Sequence, residues 1–309
     1  MIGKSVFLWA ASALITLLSS ELTLAQKVDA TGDNDLAQLI RVAPQSIFNR
    51  FREAGMKPVN HVLTPAQKAK VSHAFALLPP VHQQILKEHL YSISFMDGMP
   101  NTALTSPIDS SGLPKRFTIT FRAGLLDETI SEWATAKENT CFSQVDKAQY
   151  TVRVEGGNMD AIIYVLMHEA THIVDAVKEI TPHPAEANSV VDPTRFTKDI
   201  WHLMNVPADT YLDSLLEQTR FRSGKTVPIN LAPDVYENLS KTPFPSLYAM
   251  AAWFEDLAEL ATIYHLTTRL NQPFHVVVMK DNTEVARFEP MKNLLIKQRL
   301  DQLAIFYAH

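Results

Sequence analysis

The sequence predicts an α+β fold, predominantly helical, with a small mixed sheet following a helical front portion. Three observations carry that expectation. Glycine is scarce, with 9 residues in 309, which disfavours an all-β design built on many tight turns. Helix-start signals recur in the first third, as in "TPAQKAKVSHAFALL", where a threonine cap precedes a proline at the first helical position. Strand alternation then shows in "RFTITFRAG", where Phe117, Ile119 and Phe121 alternate with Thr118, Thr120 and Arg122.

The opening segment reads "MIGKSVFLWAASALITLLSSELTLAQKVDA". Lys4 precedes an apolar run from Val6 to Leu18, and Thr23 and Ala25 are small residues suited to cleavage after Ala25. That is the layout of a secretory signal peptide, and the run is shorter than the roughly 20 residues a membrane span needs. Residues 1–25 are therefore expected to be a signal peptide. The mature protein is expected to be exported, periplasmic or secreted from a bacterium, with no stable membrane insertion; an uncleaved anchor is the alternative.

Residues 26–115 read as a helical portion. Asp33 to Ala54 suggests two short amphipathic helices broken near Pro44, a second helical segment ends at Pro79 and Pro80, and "VHQQILKEHLYSI" continues as another. His61, His73, His82 and His89 lie here without metal-type spacing and read as surface or core histidines. "MDGMPNTALTSPIDSSGLPK" (residues 96–115), rich in Gly, Pro, Ser and Asp, reads as a loop. Residues 116–309 form the mixed part, with one continuous domain over 26–309 as the alternative to a division. The strand at 117–122 leads to a helix over "LLDETISEWATAKEN" and a second strand, "YTVRVEG". Gly156, Gly157 and Asn158 then turn the chain into an apolar helix. Residues 181–243 are loop-rich, and a long helix is expected from Pro245 to Leu270. A hairpin turning near Asp281 and Asn282 precedes a closing helix at 291–307.

Charge and cysteine usage narrow the functions. A net charge of −5 without a basic block gives no support for nucleic-acid binding. Cys141 is the only cysteine, so no internal disulfide forms, and it reads as a small buried hydrophobe.

The helix after Asn158 contains "YVLMHEATHIVD". With 3.6 residues per turn, His168 and His172 project from one face, where two imidazoles reach one zinc at about 2.0–2.1 Å. Glu169 sits about 100° around the helix, beside the ligands, where a carboxylate takes a proton from a metal-bound water. The flanking Ile162, Ile163, Val165, Leu166, Ile173 and Val174 predict a buried helix, in which three ionisable groups are costly unless paired or metal-bound. A third ligand sorts the families. Asp175 and Lys178 stand where an extended metzincin motif needs glycine and histidine, and His183 matches no third-ligand spacing. "PSLYAMAAWFEDLAELATIYHL" offers Glu255 and Glu259, four apart on one helical face in an apolar segment. Either can ligate while the other orients a histidine through its free N–H; a solvated acidic stripe is the competing reading. Tyr248, seven residues before Glu255, falls on the same face about 10 Å along the axis. It reads either as a donor to an oxyanion or as a buried structural tyrosine.

"HEATH" followed by "EDLAE" resembles the gluzincin metallopeptidases. More narrowly, "HEATHIVD" with "YAMAAWFEDLAE" is similar to the anthrax lethal-factor catalytic domain and its bacterial relatives. The resemblance covers about forty residues and implies a zincin-like core with an active-site helix. It implies Zn(2+) held by His168, His172 and Glu255, Glu169 as the base and Tyr248 as the oxyanion donor. Glu259 and Asp175 would then be outer partners that orient the ligands. An extended peptide or protein substrate would pair with an edge strand, for which residues 117–122 or 150–154 are the candidates. The expected function is thus an exported zinc-dependent metallopeptidase. Two alternatives stand beside it: a catalytically inactive zinc-containing peptide-binding or structural protein of the cell envelope, and a helical protein with no metal.

Overall fold

The chain is α+β, seen in a computed structural model that describes residues 39–108, 115–145, 149–186 and 188–308. The expected signal peptide lies outside the described residues. The principal helices are α1 (Gln45–Glu53), α2 (Pro65–Ala76), α3 (Pro80–His89), α4 (Ile130–Asn139), α5 (Ala161–Lys178), α6 (Ala232–Leu239) and α7 (Trp253–Tyr264). The principal strands are β1 (Val59–Asn60), β2 (Leu90–Asp97), β3 (Ala103–Ile108), β4 (Arg116–Arg122), β5 (Tyr150–Glu155), β6 (His275–Lys280) and β7 (Thr283–Phe288). No described helix is long and apolar enough to cross a membrane.

Local chemistry accounts for the front helices. Thr64 accepts from the Gln67 amide while the Gln67 side chain accepts from the Thr64 amide, a reciprocal cap that starts α2 ahead of Pro65. Of the two helices expected around Pro44, the second is α1, which begins directly after that proline; the first lies largely outside the described residues. Its Ile47, Phe48 and Phe51 pack on Met96 and Leu104, covering one face of a four-stranded sheet ordered β1-β2-β4-β3. Ile93, Phe95, Ile119 and Phe121 point to the other face, into the main core. The period-two pattern of residues 117–122 is therefore real. Its polar face is nonetheless buried as well, and Ser94 bonds Thr120 there at 2.9 Å.

β3 falls inside the stretch expected to be a loop. It forms the antiparallel edge of the sheet, with Pro107 on it; an edge strand tolerates proline because no partner needs that N–H. β4 lies between β2 and β3, so residues 117–122 have no open edge for a substrate. Residues 150–154 pair with β6 on one side. The other side is covered by α4, whose Asn139 and Thr135 bond the backbone of Val152 and Val154, with Ser131 reaching Gly156. The hairpin of β6 and β7 turns at Asp281 and Asn282, both at positive φ, as expected.

α5 runs through the middle of this arrangement. Fourteen of its eighteen residues are buried, because it packs on α2, α3, α4, α7 and β3 together. A helix whose apolar residues fall on every side of it demands such enclosure. Through α2 and α3 the front helices share the core cluster that runs from Leu63 to Phe306. The expected single helix from Pro245 to Leu270 is broken. A 3-10 turn covers Tyr248–Ala251, Ala252 is extended at φ −165° and ψ 161°, α7 follows, and a π-turn spans His265–Arg269. The break is held by the Trp253 amide, which donates to Met204 O at 2.9 Å. The closing helix is likewise divided, into Leu294–Lys297 and a 3-10 segment at Leu300–Tyr307.

Candidate metal centre

Packing of α7 against α5 brings together residues 87 positions apart. Nε2 of His168 lies 3.0 Å from Oε2 of Glu255, Nε2 of His172 lies 3.4 Å from the same oxygen, and the two Nε2 atoms are 3.2 Å apart. Zinc ligated tetrahedrally at about 2.0–2.2 Å separates its donor atoms by about 3.3–3.6 Å. The three donors thus stand close to the spacing a tetrahedral ion imposes, and two imidazoles with a carboxylate are chemistry that suits zinc. Zinc fits these residues.

Glu255 and Glu259 take different positions. Glu255 faces both Nε2 atoms, whereas Glu259 sits behind His168, with Oε1 3.1 Å from Nδ1. That approach is short enough for an ion pair but too bent for a well-aligned hydrogen bond. Ser246 donates to Glu259 at 2.6 Å, and Lys137 Nζ lies 3.5 Å from it. Burial disfavours charge on this carboxyl, yet Lys137, His168 and Ser246 hold it down at about 2. Burial also works against a proton on His168, but the Glu255 and Glu259 carboxylates beside it hold it up at about 9. Glu255 is likewise held well below the carboxylate range despite burial, by the two histidines.

Tyr248 reaches this cluster by a route the sequence did not suggest. Because Ala252 is extended, Tyr248 is not on the helix of Glu255, and the two-turn separation does not apply. The ring folds back to stack on His168, centroids 5.7 Å apart and 24° between planes, and the hydroxyl donates to Oε1 of Glu255 at 2.8 Å. Phe221 meets the ring edge-on at 4.9 Å and the Lys137 ammonium sits 3.9 Å from its centre. Burial and the Glu255 carboxylate push the phenol well above its ordinary range.

Glu169 is buried beside the two histidines and is held from β3, where Thr105 Oγ1 donates to its Oε2 at 2.6 Å. Asp175 does not occupy the expected outer position. It accepts from the Thr181 amide at 2.7 Å and from the Thr181 hydroxyl at 2.6 Å, closing the turn after α5, and bonds neither metal-site histidine. His183 lies 3.5 Å from Asp175 and takes no part in the cluster. His61, His73, His82 and His89 also stay outside it. Thr105, Lys137, Ser246 and Phe221 escaped sequence reading, because ordinary polar or aromatic residues distant in the chain carry no spacing signal.

Comparison of the chain with profiles of known protein families, with curated proteins and with solved structures found no match.

Proposed function

We propose that this protein is a zinc-dependent metallopeptidase with a zincin-like core, in which α5 is the active-site helix and β3 the substrate-facing edge. The observation that carries the reading is the triangle of His168 Nε2, His172 Nε2 and Glu255 Oε2, with Glu169 next to it on α5. His168, His172 and Glu255 would hold the ion. Zinc bound there supplies Lewis acidity, polarising a peptide carbonyl and lowering the pKa of a water to about 7.

The chain's own groups account for the rest. Glu169 takes the proton of the attacking water and returns it to the departing amine. Glu259 behind Nδ1 directs the His168 Nε2 lone pair towards the ion. Tyr248 donates to the developing oxyanion once its hydroxyl turns from Glu255. An extended peptide adds to the edge of β3 that no described strand pairs. With residues 1–25 read as a signal peptide, the site of action is outside the cytoplasm.

A catalytically silent zinc-containing protein of the cell envelope is the second reading, favoured by the bond that ties the Tyr248 hydroxyl to Glu255. Glu169→Gln separates the two. The hydrolase reading expects hydrolysis of a denatured protein substrate to disappear while zinc content and melting temperature persist. Zinc-loaded wild-type protein that cleaves nothing in a broad peptide library would favour the silent reading.

A further inference from the structure

We infer that Thr105 is a positioning residue that couples the docking of an extended peptide to the placement of the Glu169 carboxylate; the inference rests on the metallopeptidase reading. Two independent features of β3 meet at this residue. The first is its side chain, which crosses from the sheet to α5 and donates to Glu169 Oε2 at 2.6 Å. A hydrogen bond to a charged acceptor at this length is among the stronger kinds. It engages one carboxylate oxygen and leaves Oε1 without a partner among the described residues.

The second feature is the direction of its backbone. The Arg122 amide donates to Thr102 O at 2.8 Å, which makes Thr102 and Arg122 a hydrogen-bonded pair of the antiparallel ladder. Such pairs alternate, so in the register Leu104↔Thr120 and Ser106↔Thr118 the residues 104 and 106 spend their backbone groups on β4. Ala103, Thr105 and Pro107 then point theirs outward, to the side where no described strand pairs. Pro107 has no N–H to offer, and Thr105 is therefore the last residue of this edge with both a backbone donor and an acceptor that no described residue engages. A peptide that adds to β3 bonds the backbone of the same residue whose hydroxyl holds the base.

Residence of both functions in one residue has a kinetic signature. A peptide long enough to pair across Thr105 fixes β3 and, through it, Glu169, so added length raises kcat as well as lowering KM. Misplacing a catalytic group by about 1 Å costs on the order of a hundredfold in rate. Thr105→Val keeps the shape and removes the donor; Thr105→Ser restores it.

The test uses the zinc-loaded full protein and a length series of peptides recovered from its digest of denatured casein. Acetohydroxamate binding is measured alongside, because that chelator needs a well-placed carboxylate next to the ion. The expectation is that Thr105→Val keeps its zinc and melting temperature, loses roughly tenfold to a hundredfold in kcat on long peptides, and no longer gains kcat with length. KM should still fall with length, acetohydroxamate should bind more weakly, and Thr105→Ser should behave as wild type. Wild-type turnover by Thr105→Val, or failure of Thr105→Ser to restore it, would overturn the coupling while leaving the hydrolase reading intact. A wild-type protein that neither cleaves casein nor binds acetohydroxamate would overturn both.

Discussion

His82 makes the chain's stability depend on pH in a way that can be worked out in advance. The residue is fully buried on α3 against α5. Its Nε2 donates to Thr171 Oγ1 at 3.0 Å, while the Thr171 hydroxyl donates to Met167 O at 2.8 Å. Nδ1 has no partner. Burial, with His265 nearby, lowers the imidazole from its ordinary 6.5 to about 3. The folded state therefore keeps His82 neutral while the unfolded chain protonates it below 6.5, so stability is full above that value and declines as pH falls towards 3. Each pH unit inside that window removes about 1.4 kcal/mol. Between pH 7.5 and 5.5 one titrating histidine thus contributes a loss of about 1.4 kcal/mol. Urea denaturation of wild type and His82→Leu at both pH values isolates this contribution, because other groups titrate in both proteins. The stability difference between the two should move by about 1.4 kcal/mol in favour of the leucine variant on going to pH 5.5. An unchanged difference would mean that His82 accepts its proton within the folded protein, and would refute the burial argument.

Three further outcomes follow from the same contacts. Glu259→Gln should lower zinc affinity by roughly tenfold to a hundredfold in competition with a chelator, since it removes the carboxylate behind His168 Nδ1. Asp175→Ala should leave zinc affinity within about twofold, the outer-partner effect being absent, yet weaken hydrogen-exchange protection at Thr181, whose amide it holds. Arg299 is buried, paired with Asp256 at 2.6 Å and bonded to Pro243 O at 2.7 Å. Arg299→Met should therefore destabilise the protein by about 3–5 kcal/mol in denaturant titration, with Asp256→Leu in the same chain recovering part of the loss.

The strongly patterned parts of the fold were legible from the residues alone. The apolar helix around "HEATH", the capped start of α2, the alternating strand at 117–122 and the turn at Asp281 and Asn282 each express a local rule. What failed did so where tertiary contacts decide. β3 carries turn-type residues and a proline, and is a strand only because β4 offers it a ladder on one side. Nothing in "YAMAAWFEDL" announces the extended Ala252, which depends on Met204 receiving the Trp253 amide. The candidate site divides in the same way. His168, Glu169 and His172 share one helix and were readable from spacing; Glu255 and Glu259 were both readable, but which one faces the Nε2 atoms emerges only from the packing of α7 on α5. Asp175 shows the converse error: its position in the motif suggested a role near the ligands, and its bonds serve the next turn.

The most direct measurement is the zinc content of the purified protein, determined by elemental mass spectrometry beside the double variant His168→Ala/Glu255→Ala. About one zinc per chain is expected in the wild type, the stoichiometry of a single three-ligand site, with its loss in a variant that remains folded. Well-folded wild-type protein that retains no zinc after the metal is supplied and the excess removed would contradict the proposed centre.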